Sequence, residues 1–90
     1  MPEIPIPAEI YFKDFAFDLV KYKVERKGKS IATIEGLPNI ESGERYIHFP
    51  LGSDIAVGDE LCSGTTYLAI RKISIETYQG KPAIIKAIYY

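Results

Sequence analysis

The stretch that decides the fold runs from Asp54 to Tyr90 and reads DIAVGDELCSGTTYLAIRKISIETYQGKPAIIKAIYY. It contains three apolar-rich runs, at residues 60–62, 66–78 and 83–90. Ser63-Gly64 and Gln79-Gly80 lie between these runs and are turn signals. Apolar runs bounded by such turns predict β-strands. The stretch therefore predicts an antiparallel meander whose middle strand is long enough to bend around a barrel.

The strand pattern continues upstream of this meander. Residues 20–25 alternate apolar and charged side chains, which is typical of a strand with one buried and one polar face. A basic turn around Gly28 leads to a second strand at 30–35, which the glycine and proline that follow are expected to end. A polar loop at 39–44 then leads to a short strand at 45–49.

About six short strands at this spacing predict an all-β fold, a small antiparallel β-barrel or sandwich. Residues 8–16 mix helical and strand spacing, so a short irregular or helical segment is expected there. Residues 1–7 read MPEIPIP, and prolines at this density favour an extended arm. The predicted organisation is an arm at 1–7 and a single β-barrel domain at 8–90.

The amino-acid composition limits the classes of function that the chain could have. Ninety residues correspond to one domain, and a net charge of −1 implies no general attraction to nucleic acids or acidic membranes. No run approaches the roughly 20 apolar residues that a membrane-spanning helix needs, and the N-terminus has no apolar signal-peptide region. One cysteine excludes an intramolecular disulfide and favours a reducing compartment.

The sequence offers little catalytic chemistry. His48 and Cys62 are the only histidine and cysteine, and two residues on different strands cannot alone form a structural zinc site. His48 is expected on the exposed face of its strand, and Cys62 is expected to be a small buried side chain. Asp54 and Asp59 flank a turn, where aspartate serves turn geometry. The glycines occur singly, without a phosphate-binding loop. We therefore predict a non-enzymatic protein without a metal or cofactor.

One charge feature stands out, a basic hairpin at residues 21–29 that only Glu25 offsets. Oligonucleotide-binding barrels use cationic loops beside aromatic side chains such as Tyr22. Solvated lysines at a hairpin tip also keep a strand edge from pairing with another chain. Nucleic-acid binding and edge protection therefore both stay open as interpretations of this hairpin. The candidate nucleic-acid contacts are Lys21, Lys23, Arg26, Lys27 and Lys29.

The order of these features resembles a known protein family. The motifs that carry the resemblance are Phe12, Phe15-Ala16, Leu19-Val20-Lys21-Tyr22, Lys27-Gly28-Lys29, Ile34-Glu35-Gly36, Asp54-Ile55-x-x-Gly58-Asp59-x-Leu61 and Gly64-x-x-Tyr67-x-x-Ile70. Together with the closing hairpin they span residues 12–90. They resemble the small head–tail joining (neck or completion) proteins of tailed bacteriophages and prophages. In that family a short N-terminal segment precedes a small β-barrel.

The resemblance implies a structural role, in which copies form a ring between portal and tail through loops and termini. It implies no catalytic residues, and it places the protein in the cytoplasm of a bacterial host or in the virion. The expected function is an assembly module acting through protein–protein contacts; the alternative is an oligonucleotide-binding-like barrel using residues 21–29. The candidate partner contacts are Ile4, Ile6, Tyr46, Tyr78, Tyr89 and Tyr90.

Overall fold

A computed structural model describes residues 3–89 of the chain; the first two residues of the predicted arm and Tyr90 lie outside this range. The chain forms a closed six-stranded antiparallel β-barrel preceded by a short helical segment, which confirms the predicted fold class. The helical elements are α1 (Ala8–Asp14) and a 3₁₀ helix (Ala16–Asp18). The strands are β1 (Val20–Arg26), β2 (Lys29–Glu41), β3 (Glu44–Pro50), β4 (Glu60–Ser63), β5 (Thr66–Tyr78) and β6 (Lys81–Tyr89).

The strands close in the order β1-β2-β3-β6-β5-β4, so that β4 returns to pair with β1. The long strand β5 changes its pairing partner along its length: residues 66–69 pair with β4, and the strand from Ile70 onward pairs with β6. Every strand thus has a neighbour on both sides for at least part of its length. Closure of this kind removes the open edges on which sheets otherwise extend.

The second strand is longer than predicted. β2 continues to Glu41, and the loop expected at 39–44 is reduced to a two-residue turn, Ser42-Gly43, with φ angles of 51° and 78°. Gly36 does not end the strand, because it serves close packing. A Cβ atom there would lie 2.6 Å from Ile47 Cγ2. Pro38 is tolerated because the pairing of β1 with β2 ends at Gly36, so β2 beyond it pairs with β3 alone.

The core fills the barrel. Tyr22 and Phe49 pack edge to face, with ring centroids 5.9 Å apart, a geometry that aromatic pairs prefer. The buried apolar cluster consists of Tyr22, Val24, Ile47, Phe49, Leu61, Ile70, Ile85 and Ala87. The alternation predicted for residues 20–25 is confirmed, since Tyr22 and Val24 are buried and Lys21 and Lys23 are exposed.

The N-terminal residues pack on the outside of the barrel. Glu3 forms a parallel bridge with Thr77 of β5, and the Ile4 N–H donates to the Thr77 carbonyl at 2.7 Å. Helix α1 starts after Pro7, whose missing N–H costs no helical hydrogen bond. We call residues 3–19 the N-terminal strap. It lies across the face of the sheet opposite the core.

Candidate functional site

A cleft of about 460 Å³ lies between the N-terminal strap and the barrel. Polar and aromatic groups from the strap, β2, β3 and β5 converge on it. The groups lining it include Tyr11, Asn39, Glu41, Tyr46, His48 and Glu76. A concave site with few convergent polar groups is the usual place to look for function.

His48 lies at the floor of this cleft, and its expected exposure was wrong. Its side chain faces away from the core, because Ile47 and Phe49 on either side of it are core residues and successive strand side chains alternate. That outer face is nevertheless covered by the strap, which leaves His48 only 7% exposed. Sequence alternation identified the correct face but could not show that a distant segment covers it.

His48 joins the strap to the barrel. The Tyr11 hydroxyl lies 2.9 Å from His48 Nδ1, and His48 Nε2 contacts the Glu76 carboxylate. This arrangement fits the neutral imidazole, with its proton on Nε2 facing the Glu76 carboxylate while Nδ1 accepts from the Tyr11 O–H. Burial lowers the pKa of His48, and the nearby Glu76 carboxylate opposes that shift. The imidazole is therefore a neutral bridge between a strap hydroxyl and a barrel carboxylate.

A carboxylate, an imidazole and a hydroxyl in a row also occur in nucleophilic relays, where the hydroxyl must lose its proton. Here burial raises the pKa of Tyr11, and the negative charge of Glu76 raises it further. The Tyr11 phenol is therefore a hydrogen-bond donor and a poor nucleophile. The geometry of the trio supports fastening of the strap.

Tyr46 lies beside His48 and is likewise covered by the N-terminal strap. It is buried, its hydroxyl donates to Glu41 at 3.3 Å, and Lys86 Nζ sits 4.4 Å from its ring centroid. Burial, followed by the charge of Glu41, raises the pKa of Tyr46 to about 12. Lys86 also pairs with Glu44 at 3.0 Å. Tyr46, one of the candidate partner contacts, is thus already engaged in contacts within the chain.

The structure brings some of the other candidate partner contacts together. Ile4 and Ile6 are half-buried in the strap and line the same cleft as Tyr46. Tyr78 and Tyr89, also half-buried, line separate clefts near the ends of their strands. Tyr90 lies outside the described residues.

Tyr11 and Glu76 were missed by the sequence reasoning. They lie 37 and 28 residues from His48 along the chain, and no local motif links the three positions. The only available signal was that the sole histidine occurs in a strand two residues after Tyr46, on the same face. Only the path of the strap across the sheet brings these side chains together.

The basic hairpin contributes four exposed lysines, at positions 21, 23, 27 and 29. Arg26 is engaged elsewhere: its Nε and Nη2 donate to the two carboxylate oxygens of Asp59 at 2.8 Å each, and Nη2 also reaches Asp54 at 3.2 Å. The hydrogen bonds from Arg26 are the main reason that the pKa of Asp59 is lowered. Asp59 also accepts the Ala56 N–H at 2.8 Å, which confirms its turn role.

Acidic groups interleave with these lysines. Lys21 is in register with Glu35, and Glu25 is in register with Glu60 across β1 and β4. The same pairing places the potential ligand atoms of Glu25, Glu60 and Cys62 within 4.8 Å of one another. Burial, with the nearby Glu25 charge, raises the pKa of the Cys62 thiol, which disfavours the thiolate that metals bind.

The strap also carries large apolar side chains that face solvent. Phe17 in the 3₁₀ helix has a relative exposure of 102%, and Ile10 and Phe15 are 45% and 42% exposed. The Phe15 ring contacts the Tyr11 ring edge to face at 5.4 Å, so the apolar group adjoins the cleft. The sequence marked this segment as rich in phenylalanine but could not show which rings stay exposed.

Comparison of the chain with protein-family models, curated proteins and solved structures gives no match. Among residues 3–89, neither helical element has the length and apolar character needed to span a membrane.

Proposed function

We propose that this chain is a non-enzymatic assembly module that acts through protein–protein contacts, as the head–tail joining proteins it resembles do. The observation that carries the proposal is the fully exposed Phe17 ring, with Ile10 and Phe15 close to it along the strap. Burying an aromatic side chain of this size stabilises a contact by about 1.5–3 kcal/mol. Contiguous apolar groups rimmed by charges mark protein interaction sites.

The partner we propose is a further copy of this chain. Acidic residues flank the exposed rings in sequence, with Asp14 preceding the 3₁₀ helix and Asp18 as its last residue. Strand β1 runs from this acidic, apolar end to the basic hairpin tip, a distance of roughly 20 Å at about 3.3 Å per residue. Complementary patches at opposite ends of one strand favour a head-to-tail contact, which closes into a ring or extends as a filament.

Two exposed lysines at the hairpin tip, Lys27 and Lys29, supply the complementary charge in this arrangement. Charges at the rim of an interface guide encounter and set register more than they add affinity. The apolar rings then provide most of the contact energy. Self-association is therefore expected to be weakened by salt and weakened more strongly by loss of Phe17.

Sedimentation velocity over a concentration series tests the proposal. We expect Phe17→Ser to weaken self-association by about tenfold or more, which corresponds to about 1.4 kcal/mol. Tyr67→Ser is the matched control, since Tyr67 is 62% exposed on β5 and lies outside the strap. A chain that stays monomeric at every concentration, or equal effects of the two variants, would count against the proposed contact.

A second candidate function, binding of single-stranded nucleic acid, is favoured by the exposure of the four hairpin lysines. The variant carrying both Lys27→Glu and Lys29→Glu separates the two functions. Under the nucleic-acid alternative it lowers affinity for an oligothymidine and reduces the salt dependence of binding. Under the assembly proposal it weakens self-association while oligothymidine binding remains negligible in both proteins.

A further inference from the structure

The strap is held to the barrel by few contacts. Helix α1 has no fully buried residue; Ala8, Tyr11 and Phe12 are half-buried and the other four are exposed. Among the described residues, the anchors include the backbone hydrogen bond of Ile4 and several side-chain contacts. Tyr11 reaches His48, and the Glu3 carboxylate accepts from the Thr77 hydroxyl and from the Gly80 N–H at 3.1 Å. Segments with few buried contacts open first, while the core around them stays folded.

The His48 anchor is the one most sensitive to protonation near neutral pH, because histidine titrates close to pH 6.5. Its imidazole is enclosed by groups from every neighbouring element. Those that are charged or titratable are Tyr11 of α1, Glu41 of β2, Tyr46 of β3, Lys86 of β6 and Glu76 of β5.

We propose that part of the strap is a protonation-sensitive cover: neutral His48 holds residues 8–19 closed over the sheet, and a proton on His48 releases them. Release opens the face of the sheet that carries Tyr46 and His48, while the barrel stays folded. Opening and closing occur within a single chain and do not depend on the proposed self-association.

Two features of the geometry set the direction of the switch. In the closed form Nδ1 accepts from the Tyr11 hydroxyl, and protonation turns that nitrogen into a donor, so the hydroxyl must reorient to accept the Nδ1–H. The closed form also buries the imidazole, which disfavours its charged state, whereas the open form solvates it beside the Glu76 carboxylate. A proton therefore binds the open form more tightly than the closed form.

The sign of the pH dependence follows from this linkage. The pKa of His48 is lowered in the closed form, so closure is most stable above about pH 6.5 and weakens as the pH falls through that value toward the closed-form pKa. The hydrogen bond from Thr77 is the main cause of the lowered pKa of Glu3, so Glu3 stays ionised in this range. Opening between neutral and mildly acidic pH is thus assigned to His48.

Amide hydrogen exchange measured on residues 8–19 tests this switch. Rates at about pH 7.5 and about pH 5.5, on either side of the histidine pKa, are corrected with an unstructured peptide of the same sequence. We expect the corrected opening of the strap to rise several-fold at the lower pH, with β3 and β6 equally protected at both.

His48→Gln supplies the matched control, because glutamine can donate to Glu76 and accept from Tyr11 but does not titrate. It should abolish the rise. Tyr11→Phe removes the bond from the strap side, and it should give an open strap at both pH values with an intact barrel. The switch is refuted if strap opening in the wild-type protein does not change with pH, or if a folded His48→Gln protein retains the rise. Should His48→Gln fail to fold, Tyr11→Phe decides: an unchanged pH-dependent rise in that variant would also refute the switch.

Discussion

Arg26 and Asp59 lie 33 residues apart and are joined by two parallel hydrogen bonds, each 2.8 Å long. The contact fastens the end of the first hairpin to the loop that leads into β4, where Asp59 also accepts the Ala56 N–H. Asp59 is buried, so the charge of its carboxylate depends on these donors for stabilisation. The arginine that the sequence placed among nucleic-acid contacts therefore acts in closing the barrel.

Replacing this arginine should destabilise the protein in a pH-dependent way. Arg26→Met removes the main group that lowers the pKa of Asp59 and leaves a buried carboxylate without its two arginine donors. Because the folded pKa is lowered from 3.8, the stabilisation is present above about pH 3.8 and is lost as the pH falls through the folded value. The urea midpoint of the variant should thus lie below that of the wild type at neutral pH, with the gap closing in strong acid.

Lys29→Met is the control for this experiment, since Lys29 is an exposed residue of the same hairpin. It should leave the midpoint almost unchanged at both pH values. Equal midpoints for Arg26→Met and Lys29→Met at neutral pH would contradict a structural role for the Arg26–Asp59 contact.

Gly36→Ala should destabilise the barrel by about 1–3 kcal/mol through overpacking. The added Cβ would lie 2.6 Å from Ile47 Cγ2 and 2.7 Å from Phe49 Cε1, and both neighbours are fully buried. Urea denaturation followed by circular dichroism measures the loss. Thr33→Ala on the exposed face of β2 should change stability by no more than about 0.5 kcal/mol.

A double variant separates steric crowding from other causes. Phe49→Leu makes room beside residue 36, so its combination with Gly36→Ala should cost less than the sum of the two single changes. Strict additivity would mean that the glycine is needed for another reason.

Deletion of residues 1–7 should leave the barrel folded and weaken self-association. The deletion removes the Ile4 hydrogen bond and the Glu3 contacts that hold the strap, so the segment carrying Phe17 loses its fixed position. Circular dichroism should retain the strand signal, and sedimentation should show weaker association. Unfolding of the truncated chain would instead make the arm part of the folding core.

Local sequence patterns predicted much of the barrel. The turns at Lys27-Gly28 and Gln79-Gly80 adopt the positive φ angles that such pairs favour, and the long β5 pairs first with β4 and then with β6. The pattern failed at Gly36 and Pro38, which were interpreted as strand breakers. Whether a glycine or a proline breaks a strand depends on its neighbours in the folded protein. Gly36 leaves room for the Ile47 and Phe49 side chains, and Pro38 lies where β2 no longer pairs with β1.

The sequence by itself determined that this chain is a small antiparallel β-protein with a short helical start, because alternation and turn residues act over a few neighbouring positions. The tertiary structure alone decided which polar residues meet. Strand closure brings Arg26 to Asp59, and the path of the strap brings Tyr11 to His48 and so buries a histidine that alternation placed on an exposed face. Contacts of this range depend on how the whole sheet closes, which no local pattern encodes.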